Sequence, residues 1–313
     1  MAPEDRIEAL VHEIYDGHVR ASIEAPVRDP HDARRILEEK FGLLVDEKTI
    51  AITYAAFLAK RPVLFEGPPG TGKTEIGEAL LELWSGKRPF VLPCSESYDE
   101  YKVIGDFHPL MAMKKGFNEE SFIPRPLLAA MILDTGVLID EIRRSSEEFQ
   151  NLLLDISDKR RIIVPELRRT FTARGIGFQM IFTSNPEDIA QNDLSDAFLR
   201  RVVRVRFTYP SRETEAKIIR IRSKRNPLIP PEATRAILDV ISLLRRSGVQ
   251  HKPGTAEAVL WARMAQEVAR LEGSTTVGLN HLAETGLSVL AKREEDEDEV
   301  REALSRMLGV RID

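Results

Sequence analysis

GPPGTGKT, residues 67–74, fills every defined position of the pattern G-x-x-x-x-G-K-[ST]. Its glycines permit the tight backbone that turns amide N–H groups towards phosphate oxygens. Lys73 can reach the β- and γ-phosphates of a nucleotide, and Thr74 can offer its hydroxyl to Mg²⁺. PVLF before the stretch reads as a buried strand and TEIGEALLEL after it as a helix, whose positive dipole end adds to the anion site. Strand, loop and helix in this order are the context the motif requires. The nucleotide-binding candidates are therefore Gly67, Pro68, Pro69, Gly70, Thr71, Gly72, Lys73, Thr74 and Glu75.

Outward from the loop, short apolar runs alternate with helical patterns. DEKTIAITYAAFLA reads as a helix with Asp46 near its start, and RPFVLPC, TGVLIDE (135–141), GFQMIFTSN (177–185) and VVRVRF (202–207) read as strands. Such alternation predicts an α/β fold, a mostly parallel sheet covered on both faces. Two stretches interrupt it. Residues 95–126 show neither clean period and read as a structured insertion, and residues 160–183 read as a hairpin turning at Pro165-Glu166 and feeding a strand.

After Tyr209-Pro210 the pattern is wholly helical. Ala233, Ile237, Ile241 and Leu244 share one helical face, and Leu260, Met264, Val268 and Leu271 another, so both sets are expected to be core-facing. KREEDEDEVREALSRML opens on an acidic run and reads as a solvated helix. The expected organisation is an N-terminal helical extension (1–40), an α/β nucleotide-binding domain (41–209) and a helical lid (210–313).

A phosphate loop calls for an acidic element on another strand. GVLIDE delivers Asp140 and Glu141 to the carboxyl end of a buried strand, where ligands of open parallel sheets collect. Asp140 would hold the Mg²⁺ shell with Thr74, and Glu141 would orient or deprotonate an attacking water. Asn185 ends the strand QMIF, and its amide can bond both water and phosphate. Taken alone, Asp140-Glu141 could cap the next helix and Asn185-Pro186 could be an ordinary turn. Their order after the phosphate loop favours the catalytic reading.

Composition sets bounds on the rest. A net charge of −5 argues against a protein that coats nucleic acid, although a local basic patch stays open. The single cysteine, Cys94, excludes an internal disulfide or a cysteine zinc cluster and reads as a packing residue. The six histidines form no spaced ligand set, so no zinc is expected. The N-terminus has no secretory pattern, and no apolar run approaches the ~18 residues of a membrane span, so a cytoplasmic protein is expected. Trp84 and Trp261 lie within helical patterns and are expected in the core.

With GPPGTGKT, LIDE, TSN and LSDAFLRR in that order, the chain resembles an AAA+ ATPase. More narrowly it is similar to the MoxR family, in the branch that contains the carbon-monoxide-dehydrogenase maturation ATPase CoxD. The similarity runs from about Phe41 to Ala265 and includes FIPRPLLAA, IVPEL and KPGTAEAVLWAR. The resemblance implies ATP and Mg²⁺, a five-stranded core of order 5-1-4-3-2, and a helical lid. It also implies an insertion within helix 2 at 95–126 and a hairpin before sensor 1 at 160–175. It further implies a ring, usually a hexamer, often with a von Willebrand factor A domain partner, that remodels or inserts cofactors into a client protein. An arginine acting on the neighbouring subunit's ATP would be Arg201, with Arg200 the near alternative. Arg143 stands where the family commonly has Asn or Asp. The lid arginine common in AAA+ proteins has no clear match, Lys252 being the nearest stand-in.

Within DLSDAFLRRVVRVRF, Arg204 and Arg206 alternate with apolar residues and read as structural arginines of an edge strand. Two other functions stay open at this level. Lys159, Arg160, Arg161, Arg168, Arg169 and Arg174 make the hairpin basic, as a nucleic-acid motor would need, but no recognition motif accompanies them. A nucleotide-gated binding module with little turnover is the other.

Overall fold

The computed structural model describes residues 6–186, 193–223 and 227–310. The chain divides into two compact units. The first comprises Met1–Phe41, Val45–Gly67 and Lys73–Arg206, the second Gly42–Leu44, Pro68–Gly72 and Phe207–Asp313.

In the first unit α1 (Arg6–Tyr15), α2 (Pro30–Ile36) and α3 (Glu47–Leu58) lead into β1 (Val63–Glu66), α4 (Lys73–Ser85) and β2 (Phe90–Pro93). The insertion follows as α5 (Glu100–Val103), β3 (Gly105–Phe107), α6 (Pro109–Lys115) and β4 (Phe122–Pro124). Then come α7 (Pro126–Leu133), β5 (Val137–Asp140), α8 (Glu147–Lys159), the hairpin strands β6 (Arg161–Val164) and β7 (Arg169–Thr172), and β8 (Met180–Ser184). α9 (Asp196–Leu199) and β9 (Val203–Arg206) close the unit.

Five strands form one sheet in the order β2-β5-β8-β1-β9, and every neighbouring pair is parallel. Counted along the chain this is the expected 5-1-4-3-2 order. β1 and β8 are buried throughout, as helices on both faces require, and this is why their sequences run apolar instead of alternating. Glycine lets α4 close on the sheet: a Cβ on Gly77 would lie 2.5 Å from Leu138 Cδ1. Asp46 caps α3, accepting the Thr49 N–H at 2.8 Å. Ile7 and Val11 of α1 are fully buried in the core shared with Phe90, Leu127 and Met180.

The two interruptions each form their own small sheet. β3 pairs antiparallel with β4, and β6 with β7 around a 3-10 turn at Pro165–Leu167. Trp84 is buried and donates its indole N–H to the Ile176 carbonyl at 2.6 Å.

The second unit carries α10 (Arg212–Arg222), α11 (Pro231–Arg246), α12 (Thr255–Leu271), α13 (Leu279–Leu290) and α14 (Glu297–Leu308). Ala233, Ile237, Ile241 and Leu244 of α11 are buried as their spacing predicts. The expectation for α12 is overturned. Leu260, Met264 and Leu271 are exposed, and the buried face is Ala258, Trp261, Ala262, Ala265 and Ala269. α12 packs against α10, α11 and α13, and backbones approach that closely only over small side chains. Trp261 fills the remaining space and donates to the Leu282 carbonyl at 3.0 Å.

The solvated reading of the C-terminal helix is also corrected. Val300, Ala303, Leu304 and Leu308 of α14 are buried, and within the acidic run Asp296 is buried and accepts the Gln250 and His251 N–H groups. The run thus contains a cap, because a buried carboxylate needs such donors. Among the described residues no helix is long and apolar enough to cross a membrane.

The reversed face of α12 is open to a direct check by urea unfolding. Leu260→Glu and Met264→Glu should each change stability by less than about 0.5 kcal/mol, as surface substitutions do. Ala262→Glu buries an unpaired charge and should cost on the order of 3 kcal/mol or more.

Candidate functional site

Parallel pairing brings the carboxyl ends of β1, β5 and β8 to one edge of the sheet. Glu66 pairs in register with Ser184, and Ile139 with Phe182, so Asp140 falls beside Thr183. The Gly67 N–H donates to the Ser184 carbonyl at 3.2 Å and roots the phosphate loop on β8. Lys73 is 9 % exposed, and its ammonium donates to the Gly67 carbonyl at 2.8 Å.

The loop and the acidic strand meet at one carboxylate oxygen. Thr74 Oγ1 donates to Asp140 Oδ1 at 2.7 Å, and Thr183 Oγ1 donates to the same oxygen at 2.5 Å. Thr183 Oγ1 also accepts the Glu141 N–H at 2.9 Å. Glu141 adopts a left-handed backbone (φ 55°), an unfavourable region for a residue with a Cβ, and its carboxylate pairs with Arg144. A hydroxyl and a carboxylate oxygen converging at hydrogen-bond distance are the hard oxygen donors that Mg²⁺ takes. Thr74 and Asp140 therefore suit the Mg²⁺ of a bound nucleotide, and Lys73 beside them suits its phosphates.

Asn185 follows β8 by one residue and is half-buried. Arg200 and Arg201 lie elsewhere. With Val202 they lead into β9, whose Val203 pairs with Val63 at the amino end of β1, so they sit at the edge opposite Gly67, Asp140 and Asn185. Arg200 is exposed, and Arg201 Nε is 3.8 Å from Asp158 near the far end of α8. Glu75, on the first turn of α4, belongs to the phosphate-loop side.

Pro68–Gly72 group with the second unit. There the Gly70 carbonyl accepts the Ala256 N–H at 3.0 Å. Gly70 is left-handed at φ 69°, and Gly254 packs directly on it. A Cβ on Gly254 would lie 2.7 Å from the Pro69 oxygen and 2.8 Å from Gly70 Cα, both backbone atoms that cannot swing aside. Lys252 is exposed.

Sequence reasoning missed Glu66, Thr183, Gly254 and the work of Arg143. Glu66 is 6 % exposed and pairs with Arg204, and Arg143 Nη2 lies 3.7 Å from it. Arg204 is thus a structural arginine of the edge strand as expected, with a buried carboxylate as its partner. A charge closing the apolar run PVLF was the available signal for Glu66. Cys94 is a buried packing thiol: burial, reinforced by the Asp140 charge, pushes its pKa up to about 12.

Most of the basic hairpin is engaged within the chain. Arg160 donates to the Phe178 and Gly175 carbonyls at 2.8 and 2.7 Å, Arg169 pairs with Glu119 at 2.6 Å, and Arg174 pairs with Glu8 at 2.5 Å. Lys159 pairs with Asp155 at 2.5 Å.

Residues 62–202 match the AAA domain of the dynein-related subfamily. The gas vesicle ATPase GvpN of Ancylobacter aquaticus is 29% identical over 229 residues, which is 68% of this chain and 61% of that protein. YehL of Escherichia coli is 30% identical over 144 residues, 45% of this chain and 40% of that one. Among solved structures, a RuvB mutant of Thermotoga maritima aligns with a TM-score of 0.50 at 16% identity, covering 85% of this chain and 82% of that one. This last likeness concerns the fold, an α/β AAA+ core followed by a helical lid.

Gly254→Ala should lower stability by about 1–3 kcal/mol, the usual cost of overpacking against atoms that cannot yield. Gly17→Ala, with nothing within 4 Å of the new Cβ, is the neutral control in the same denaturation experiment.

Proposed function

From the AAA domain of residues 62–202, we propose that the chain is an ATP-hydrolysing motor of the MoxR type that remodels a client protein. One observation carries the reading: Thr74 and Thr183 donate to the same oxygen of Asp140, so phosphate loop, acidic strand and sensor strand converge on one point. The similarity to a protein named as an ATPase supports it.

The chemistry follows from residue placement. Loop amides and Lys73 hold the triphosphate. Thr74 and Asp140 would hold Mg²⁺, which when bound would supply positive charge against the phosphates. Glu141 orients a water and takes its proton as the water oxygen bonds to the γ-phosphorus. The bond from that phosphorus to the bridging oxygen breaks, leaving ADP and inorganic phosphate. Asn185 holds the water and the γ-phosphate in line.

Among the described residues, Arg143 and Arg204 at this edge face Glu66 and Arg144 pairs with Glu141, while Arg206 closes the outer strand β9 and is exposed. Arg200 and Arg201 lie at the amino end of the strands, at least three residues or ~10 Å along them from the phosphate loop. That polarity favours use by a neighbouring subunit, hence a ring, for which the resemblance suggests six copies. A partner with a von Willebrand factor A domain and a role in maturation or cofactor insertion rest on the same resemblance. A nucleic-acid motor is the weaker reading, because Lys159, Arg160, Arg169 and Arg174 are already engaged within the chain.

The test is ATP turnover against protein concentration. Turnover per subunit should rise with concentration. Glu141→Gln should bind ATP without hydrolysing it, and Arg201→Ala should bind ATP but lose roughly 10³-fold in rate. Mixing the two variants should restore part of the activity, since one interface in the mixture then combines an intact Glu141 with an intact Arg201. Concentration-independent turnover that Arg201→Ala leaves unchanged would sink the shared site.

A further inference from the structure

Arg143 stands two residues after the acidic pair Asp140-Glu141, in the 3-10 turn Ile142–Arg144. Its guanidinium reaches three places at once. Nε donates to Ser184 Oγ at 2.9 Å, Nη1 donates to Asp193 Oδ1 at 3.1 Å, and Nη2 lies 3.7 Å from Glu66 Oε1. The side chain is 14 % exposed, and that of Glu66 is 7 % exposed.

Two of these partners border the chemistry. Ser184 is the last residue of β8, directly before Asn185, and Glu66 is the last of β1, directly before Gly67. The same Ser184 takes the Gly67 N–H on its carbonyl. A carboxylate as buried as Glu66 persists only when paired, and it holds Arg204 on one oxygen and faces Arg143 with the other. Of these two arginines, Arg143 is the one on the catalytic turn. The left-handed Glu141 is thus pinned from two sides, by the Thr183 hydroxyl on its N–H and by the anchored turn that follows it.

We propose that Arg143 is a positioning residue for ATP hydrolysis, tying Glu141 and the Asn185 strand end to the root of the phosphate loop through Ser184 and Glu66. The proposal rests on the ATPase reading above. Arg143 does not touch the nucleotide. It sets the spacing between the residue that activates water and the residue that aligns it. The planar fork of arginine matters, because it donates to Ser184 and faces Glu66 in fixed directions. A lysine ammonium supplies the charge without that geometry.

The experiment compares wild type, Arg143→Lys and Ser184→Ala as full chains. Steady-state turnover, binding of a fluorescent (mant) ATP, and amide hydrogen exchange without nucleotide are measured on each. Arg143→Lys should lower kcat by roughly 10- to 100-fold, the scale of an ångström's misplacement of reacting groups, as it keeps the charge but not the fork. The mant-ATP Kd should stay within about threefold, because Lys73 and Thr74 are untouched. Exchange should quicken in segments 139–144 and 180–186 and stay unchanged in the hairpin at 161–172. Ser184→Ala should show a smaller loss, and the double variant little beyond Arg143→Lys, because both act on one link.

A kcat within about twofold of wild type, or kcat and affinity falling in parallel, would overturn the proposal. If wild type itself does not hydrolyse ATP, the functional reading fails separately, and the exchange measurement still decides the anchoring. Quickened exchange confined to the two segments supports it, and unchanged exchange overturns it.

Discussion

Parallel pairing of five short strands is the constraint on which everything else depends. Because β1, β5 and β8 run the same way in aligned register, their carboxyl ends share one edge. Three chain segments far apart in sequence therefore meet there: Gly67 after β1, the acidic pair with the adjoining turn that carries Arg143, and Asn185 after β8. The same constraint sends Arg200 and Arg201 to the opposite edge, since they precede β9 and do not follow it. One geometric fact both assembles the candidate site and places Arg200 and Arg201 away from it.

Charge burial is the second organising force. Glu66 is held between Arg143 and Arg204, and Glu215 in the helical unit is held by a bidentate Arg245 and the Thr255 hydroxyl. Pairs of this kind add little net stability, because desolvation offsets most of the attraction. Breaking one is costly, however, so each fixes a geometry. Around Glu66 the fixed geometry is that of the strand ends bearing the proposed catalytic groups. Around Glu215 it is the approach to α12, whose first turn lies on the loop tip at Gly70.

Gly70 and Gly254 show how closely two stretches of main chain can approach. The resemblance leads one to look for a lid arginine. Gly254 instead brings main chain against the main chain of Pro69 and Gly70, at distances no Cβ would allow. Contact of that closeness, together with the Ala256 N–H donated to the Gly70 carbonyl, ties the tip to α12.

The sequence by itself determined the α/β class and, through the resemblance, the strand order. Those depend on local signals, namely apolar period, glycine spacing and the order of motifs along the chain. It misjudged α12, taking Leu260 and Met264 for the core face, because periodicity identifies a stripe but not which stripe a crowded neighbour prefers. Alanines were favoured there by close helix approach, which is a property of three helices together. It likewise read the terminal acidic run as solvated, where Asp296 caps a loop more than forty residues away. Tertiary structure alone decided that Arg143, Glu66 and Arg204 form one cluster. Burial and hydrogen-bond distance between residues 138 positions apart leave no period in the sequence to find.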